Sequence, residues 1–249
     1  MTQPVCVIVG VGQGLGLALA RRFAQGDGVG AGMRVAALAR GAANVRRCQD
    51  ELRAEGLDVT GIVADAGDPA AMDAAFARID AELGACSVLV YNAAIIEPAR
   101  FVTTSSAAYI GGDPGTKSAW RAHGVPADFA YLDACFRTNV AGALHAAQLA
   151  LPGMRARGAG TILLTGGVLA FDPWLEWGVT ALGKAALRSL GLSLDRELRG
   201  ENIHVCTVAI HGTMEEGTPY TQPKVAEAYW KLHKQAPADW EPELHFRGA

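Results

Sequence analysis

The chain carries no cysteine framework. Its five cysteines (Cys6, Cys48, Cys86, Cys135 and Cys206) form no CxxC pair and show no metal-ligand spacing. That excludes a disulfide scaffold or a zinc ribbon, leaves no metal site to expect, and points to a reducing compartment, the cytoplasm. Cys6 and Cys206 sit inside apolar runs, where a small thiol behaves as a buried hydrophobe. No apolar run approaches the roughly 18 residues that would span a bilayer, and no charged leader precedes one. The formal charge is only −3, so there is no basic footprint for nucleic acid. Internal repeats, linkers and low-complexity tracts are also missing. Only 19% of the 249 residues are charged against 50% hydrophobic, which argues against disorder and lets one large domain bury a sizeable core.

The most informative stretch is Val7-Ile8-Val9-Gly10-Val11-Gly12-Gln13-Gly14-Leu15-Gly16. A β-branched run meets a glycine turn, and an Ala/Leu-rich helical pattern follows. Glycines let the backbone turn sharply and let a diphosphate approach bare N–H groups at a helix N-terminus. The spacing Gly10-x-x-x-Gly14-x-Gly16 differs from the commoner G-x-G-x-x-G fingerprint. Beyond it, apolar runs at 5–9, 34–39, 59–64, 87–91, 160–165 and 203–210 read as strands. Helical patterns at 15–25, 42–55, 69–83, 129–157 and 179–199 lie between them. That alternation predicts an α/β fold, a doubly wound parallel sheet covered on both faces. Right-handed crossovers place all strand C-termini on one edge, where ligands bind. Residues 26–32 are glycine-rich but precede a strand, so they read as a surface connection rather than a second phosphate loop.

Over nearly its whole length the chain resembles the short-chain dehydrogenase/reductase family. Gly10, Gly14 and Gly16 match that family's glycine turn, with Val9 where a Thr is usual. Asp65, in Val63-Ala64-Asp65-Ala66, matches the acid that bonds an adenine. Leu89-Val90-Tyr91-Asn92-Ala93-Ala94 is similar to the LVNNAG run. Asn139 matches the helix asparagine, and Lys184, in Gly183-Lys184-Ala185-Ala186-Leu187, the active-site lysine that holds a nicotinamide ribose. The resemblance implies a Rossmann-like single domain over residues 1–249 and a dinucleotide held by Gly10, Gly14, Leu15, Gly16, Asp65, Ala66, Asn92, Ala93, Lys184 and Thr213. It also implies a homo-oligomer, dimer or tetramer, that acts on a small molecule.

The catalytic core departs from the family pattern. The family's tyrosine stands one helical turn before its lysine, so that both face one cleft; here that position is Thr180. Its serine falls at Gly167. A phenol starts near pKa 10 and a neighbouring ammonium lowers it toward neutrality. The aliphatic hydroxyl of Thr180 is a far weaker acid. Thr165 keeps a hydroxyl two residues before Gly167 and could orient a substrate. In the turn after the sixth strand, His211 takes the place of the family's Pro, and an imidazole titrating near 6.5 suits acid–base work. Asp172, Glu176, Glu215 and Glu216 are further candidate acids on loops.

At the end of the second strand Ala39 stands where NAD-using members carry an acid, and Arg40 follows. Losing the carboxylate removes repulsion of a 2′-phosphate, and a guanidinium is a planar bidentate partner for it. The expected cofactor is therefore NADP(H). A pocket-shaping insertion is expected near 98–128, with Tyr109, a Gly111-Gly112-Asp113-Pro114-Gly115 turn, Trp120 and His123. A C-terminal substrate segment is expected over 214–249, with Tyr220, Tyr229, Trp230, His233 and Trp240. Together with Trp174 and Trp177 these aromatics fit either a cleft for an apolar substrate or an oligomer interface. Three functions remain open. The first is an atypical oxidoreductase acting on a carbonyl or imine-type substrate, with Asn139, Thr180, Lys184 and His211 as catalytic candidates. The second is an enzyme of the same fold without net redox chemistry, using His211 and carboxylates. The third is a non-catalytic NADP-binding protein.

Overall fold

The computed structural model describes residues 3–28, 32–111 and 119–248. Residues 112–115 of the proposed Gly111–Gly115 turn and the middle of the 26–32 connection lie outside these. A seven-stranded sheet runs β3-β2-β1-β4-β7-β8-β9, every paired strand parallel. Its strands are β1 (Val5–Val9), β2 (Arg34–Ala39), β3 (Val59–Val63), β4 (Cys86–Tyr91), β7 (Gly160–Thr165), β8 (Ile203–Ile210) and β9 (Glu243–Phe246). The helices are α1 (Leu15–Gln25), α2 (Ala42–Ala54), α3 (Pro69–Glu82), α4 (Phe129–Phe136), α5 (Gly142–Arg157), α6 (Gly178–Leu198) and α7 (Gln222–His233).

The two-residue period of the strands builds both layers. Cys6, Ile8, Val35, Ala37, Val88, Val90, Leu163 and Cys206 face α1, α2 and α7, packing on Leu19, Phe23, Leu52 and Tyr229. Val7, Val9, Leu38, Leu89, Tyr91, Ile162 and Leu164 face α3, α5 and α6, packing on Phe76, Ala147 and Leu194. Strands buried on both faces read as unbroken apolar runs, which is why their limits were legible. All five cysteines are buried free thiols. Among the described residues no helix is long and apolar enough to cross a membrane.

Two regions differ from expectation, and a third carries structure the sequence did not show. The helical stretch 129–157 is not continuous: a π-helical turn at Arg137–Ala141 separates α4 from α5. Tertiary contacts account for it. The Asn139 amide accepts from Ile95 N at 2.7 Å and donates to Ile95 O at 3.1 Å, and a Cβ on Gly142 would lie 2.2 Å from Ala66 O. The expected insertion carries an antiparallel pair, β5 (Tyr109–Gly111) and β6 (Ala119–Arg121). The segment from Met214 onward holds a core helix and an edge strand. Val225, Tyr229 and Leu232 recur at helical spacing on α7 and are buried, and β9 extends the sheet beside β8.

Candidate active site

The strand order changes winding direction at β1, so the crevice between the ends of β1 and β4 is a ligand position by topology alone. A cavity of about 630 Å³ opens there. Its floor is the glycine turn. Gly10 has φ +96°, and a Cβ there would lie 2.4 Å from Ala93 N. Its N–H and that of Val11 both donate to Leu38 O, at 2.8 and 2.9 Å. A Cβ on Gly16 would strike Gly10 O at 2.5 Å. Gly14 differs: it is the N-cap of α1, no side chain caps it, and a Cβ there would meet nothing within 4 Å. Gly14, Leu15 and Gly16 line the cavity at the N-terminus of α1, where the helix dipole favours an anion.

Along one wall stand Ala39, Arg40, Gly41 and Asn44, then Ala64, Asp65 and Ala66. Arg40 is exposed. Asp65 is held by Gly67 N, which donates to its Oδ1 at 2.9 Å. The opposite end holds Asn92, Ala93, Thr165, Gly166, Gly167, Lys184, Gly212 and Thr213. The mouth is apolar, with Ile95, Ile96, Trp120, Val168, Leu169, Trp174, Trp177 and Met214. Trp120 meets Trp177 edge-on, ring centroids 5.5 Å apart.

Lys184 is buried and donates from Nζ to Thr165 O at 2.6 Å. Burial disfavours its charged form and pulls its pKa down to about 8. The Thr165 hydroxyl donates to Asn92 Oδ1 at 3.1 Å and accepts from the buried Tyr229 phenol at 2.9 Å. Asn92 Nδ2 in turn donates to Gly10 O at 2.8 Å. This chain ties α7, β7, β4 and the glycine turn into one rigid base. Burial pushes the Tyr229 phenol well above its usual range, which suits an anchor rather than an acid. Tyr229 had no local sequence signal for this role, because its partner lies across the sheet.

The structure brings together Gly10, Gly14, Leu15, Gly16, Arg40, Asp65, Ala66, Asn92, Ala93, Lys184 and Thr213 around one cavity. Asn44, Thr138, Ile95 and Ile96 line it too; the two isoleucines directly follow the Asn92-Ala93-Ala94 signal. Asn139 stands behind the wall as the clamp on Ile95. Thr180 and His211 are not among the residues that line the cavity. Thr180 is 3% exposed and its hydroxyl donates to Glu97 O at 3.4 Å. His211 turns toward β9, with Nε2 2.9 Å from His245 Nδ1 and its ring stacked on Phe171. Burial, then Arg247 and His245, hold its pKa below the usual value. Glu176 pairs with Arg100, which keeps its carboxyl below the usual range. Asp172, Glu215 and Glu216 are exposed. Of the aromatics in the tail, Tyr229 and Trp230 are core, Trp240 stacks on His204, and Tyr220 packs on Phe246. Among the described residues no group of three or more His, Cys, Asp or Glu could hold a metal ion.

The short chain dehydrogenase family model matches residues 4–110 and 122–227, and the chain belongs to that family. Uncharacterized oxidoreductases from two strains of Staphylococcus epidermidis are 29% identical over 99 residues, which is 39% of this chain. That match spans 43% of the length of those relatives. A metagenomic short-chain oxidoreductase in complex with NADP is similar in fold, with TM-score 0.76 and 22% identity over 100% of this chain and 98% of its own. A short-chain dehydrogenase from Rhodopseudomonas palustris also gives TM-score 0.76, at 22% identity over 99% of each chain. A gluconate 5-dehydrogenase from Burkholderia cenocepacia in complex with NADP and tartrate gives 0.76 at 21% identity, over 98% and 93%.

Proposed function

We propose that the protein is an NADP(H)-dependent oxidoreductase that transfers a hydride to or from a small, largely apolar carbonyl or imine-type substrate, without the family's usual tyrosine and serine. The observation that carries this reading is the continuous cavity. It joins the open N-terminus of α1 at Gly14 to Arg40 on one side and to Lys184 and the tryptophan mouth on the other. The NADP complexes of two structures with the same fold support the choice of cofactor.

The cradle fits a dinucleotide. The backbone at Gly10, Gly14, Leu15 and Gly16 would receive the diphosphate, Asp65 and Ala66 the adenine, and Arg40 a 2′-phosphate. Asn92, Ala93, Lys184 and Thr213 would hold the nicotinamide half. When bound, the cofactor supplies or accepts the hydride. Lys184 keeps two donors besides the one given to Thr165 O, and one of these would hold a ribose hydroxyl. Trp120, Trp174 and Trp177 would exclude water and receive the flat, apolar body of the substrate. Exposed apolar side chains on α4, α5 and α6 (Phe129 at 86%, Phe136, Leu144 and Leu182) support a homo-oligomer.

Titration with NADPH followed by an absorbance assay against a carbonyl and imine panel tests the proposal. Micromolar binding and steady loss of NADPH absorbance are expected. Product formed without a change in cofactor absorbance would replace it with the non-redox reading, and binding with no turnover by the binding-protein reading.

A further inference from the structure

We propose that Lys184 itself is the proton donor of the reaction, taking over directly the task that a phenol would perform. The proposal rests on the oxidoreductase reading above. Among the described residues that line the cavity, only Arg40, Asp65 and Lys184 are ionisable. Arg40 follows β2 and Asp65 follows β3, whereas Lys184 lies against the end of β7. In the observed strand order those are three and four inter-strand steps away, roughly 14 and 19 Å at the usual spacing. Neither reaches the tryptophan mouth.

The hydroxyls of Thr165 and Thr180 are committed. Thr165 gives its hydrogen to Asn92 and takes one from Tyr229. Thr180 gives its hydrogen to Glu97 O. Gly167 offers none. Lys184 is 8% exposed, and Thr165 O is its one hydrogen-bond acceptor among the described residues. An ammonium has three donors. One is anchored, one would reach the ribose, and one is left for the substrate. No charged neighbour shifts this lysine; burial alone favours loss of its proton. The backbone of Thr165 is the polar group it touches.

In the reductive direction the cofactor, when bound, would supply a hydride to the substrate carbon, and the C=O π pair would move onto oxygen. As that happens an N–H bond of Lys184 breaks and an O–H bond forms. The lysine is left as a neutral amine and regains its proton from water when the cavity opens for product release. For an imine the new bond is N–H.

The test compares wild type with Lys184→Arg and Lys184→Met. Arginine keeps charge and donors but does not give up a proton near neutral pH. Lys184→Arg should bind NADPH within about threefold of wild type while losing on the order of 10²- to 10⁴-fold in kcat for a ketone. Wild-type kcat should fall above about pH 8, and the residual rate of the arginine variant should not. If the guanidinium prevents folding, Lys184→Gln carries the same comparison. A second readout needs no cofactor. Lys184 loses its proton at about 8 in the fold against 10.5 ordinarily, so between those values the unfolded chain holds more protons and stability rises with pH. Lys184→Met should remove that rise. Wild-type turnover and an unchanged pH profile in Lys184→Arg would overturn the proposal while leaving the oxidoreductase reading intact. So would a borohydride-trapped substrate adduct on Lys184, which would make the amine a nucleophile. Failure of wild type to bind NADPH would sink both.

Discussion

Replacing Arg40 with alanine should weaken NADPH binding and leave NADH binding nearly unchanged. Arg40 is exposed on the cavity wall at the end of β2, between Ala39 and Gly41. Among the described residues no carboxylate pairs with it, so a phosphate would not have to displace an existing partner. A charge-assisted hydrogen bond of this kind is worth about 1.5–3 kcal/mol. Exposure to water and salt places Arg40 near the lower end. About 1.5 kcal/mol corresponds to roughly a tenfold rise in Kd. Titration calorimetry of wild type and Arg40→Ala with both cofactors, at low and high salt, measures it. The difference between the variants should appear with NADPH alone and shrink as salt rises. Equal wild-type affinity for the two cofactors, or an equal loss for both in the variant, would refute the assignment of Arg40 to a 2′-phosphate.

Three further outcomes are expected. Gly167→Ser should raise kcat/KM for a ketone by on the order of 10²-fold, since Gly167 has space for a Cβ, with Ile210 O nearest at 3.8 Å; an unchanged rate would show that this position does not face the reacting carbonyl. Gly10→Ala should cost on the order of 2–5 kcal/mol in urea unfolding, because its Cβ would lie 2.4 Å from Ala93 N at φ +96°; a wild-type midpoint would contradict the close approach of β1 and β4. His233 is partly buried, and desolvation pulls its pKa down to about 4 from 6.5. The unfolded chain therefore holds the extra proton between those values, and stability falls as pH drops from 6.5 toward 4. Between pH 7 and pH 5 the loss should be about 2 kcal/mol. His233→Gln should lose that share of the acid sensitivity, and a variant as acid-sensitive as wild type would show that His233 is not the source.

Much of this protein was legible locally. β1, β2, β7 and β8 fall at the expected limits because a strand buried on both faces leaves a continuous apolar run. The glycine turn was legible because close backbone approach and a positive φ leave glycine as the only residue that fits. Lys184, Asn92 and Arg40 were singled out because the residues around them resemble the family's motifs, and all three line the cavity. The sequence also determined what is missing: no phenol one turn before Lys184 and no hydroxyl at Gly167. Only the tertiary structure decided which remaining groups meet. It turned His211 to His245 on the neighbouring strand and sealed Thr180 against Glu97. Tyr229 came to lie beneath Thr165 from a helix whose place in the core depends on α1 and β8. It also bent the 129–157 stretch through a π-turn, because Asn139 had to reach the backbone of Ile95. These outcomes share one cause. Periodicity fixes which face of an element is buried, but the direction of a polar side chain is set by a partner distant in sequence, and that partner exists only once the sheet has assembled.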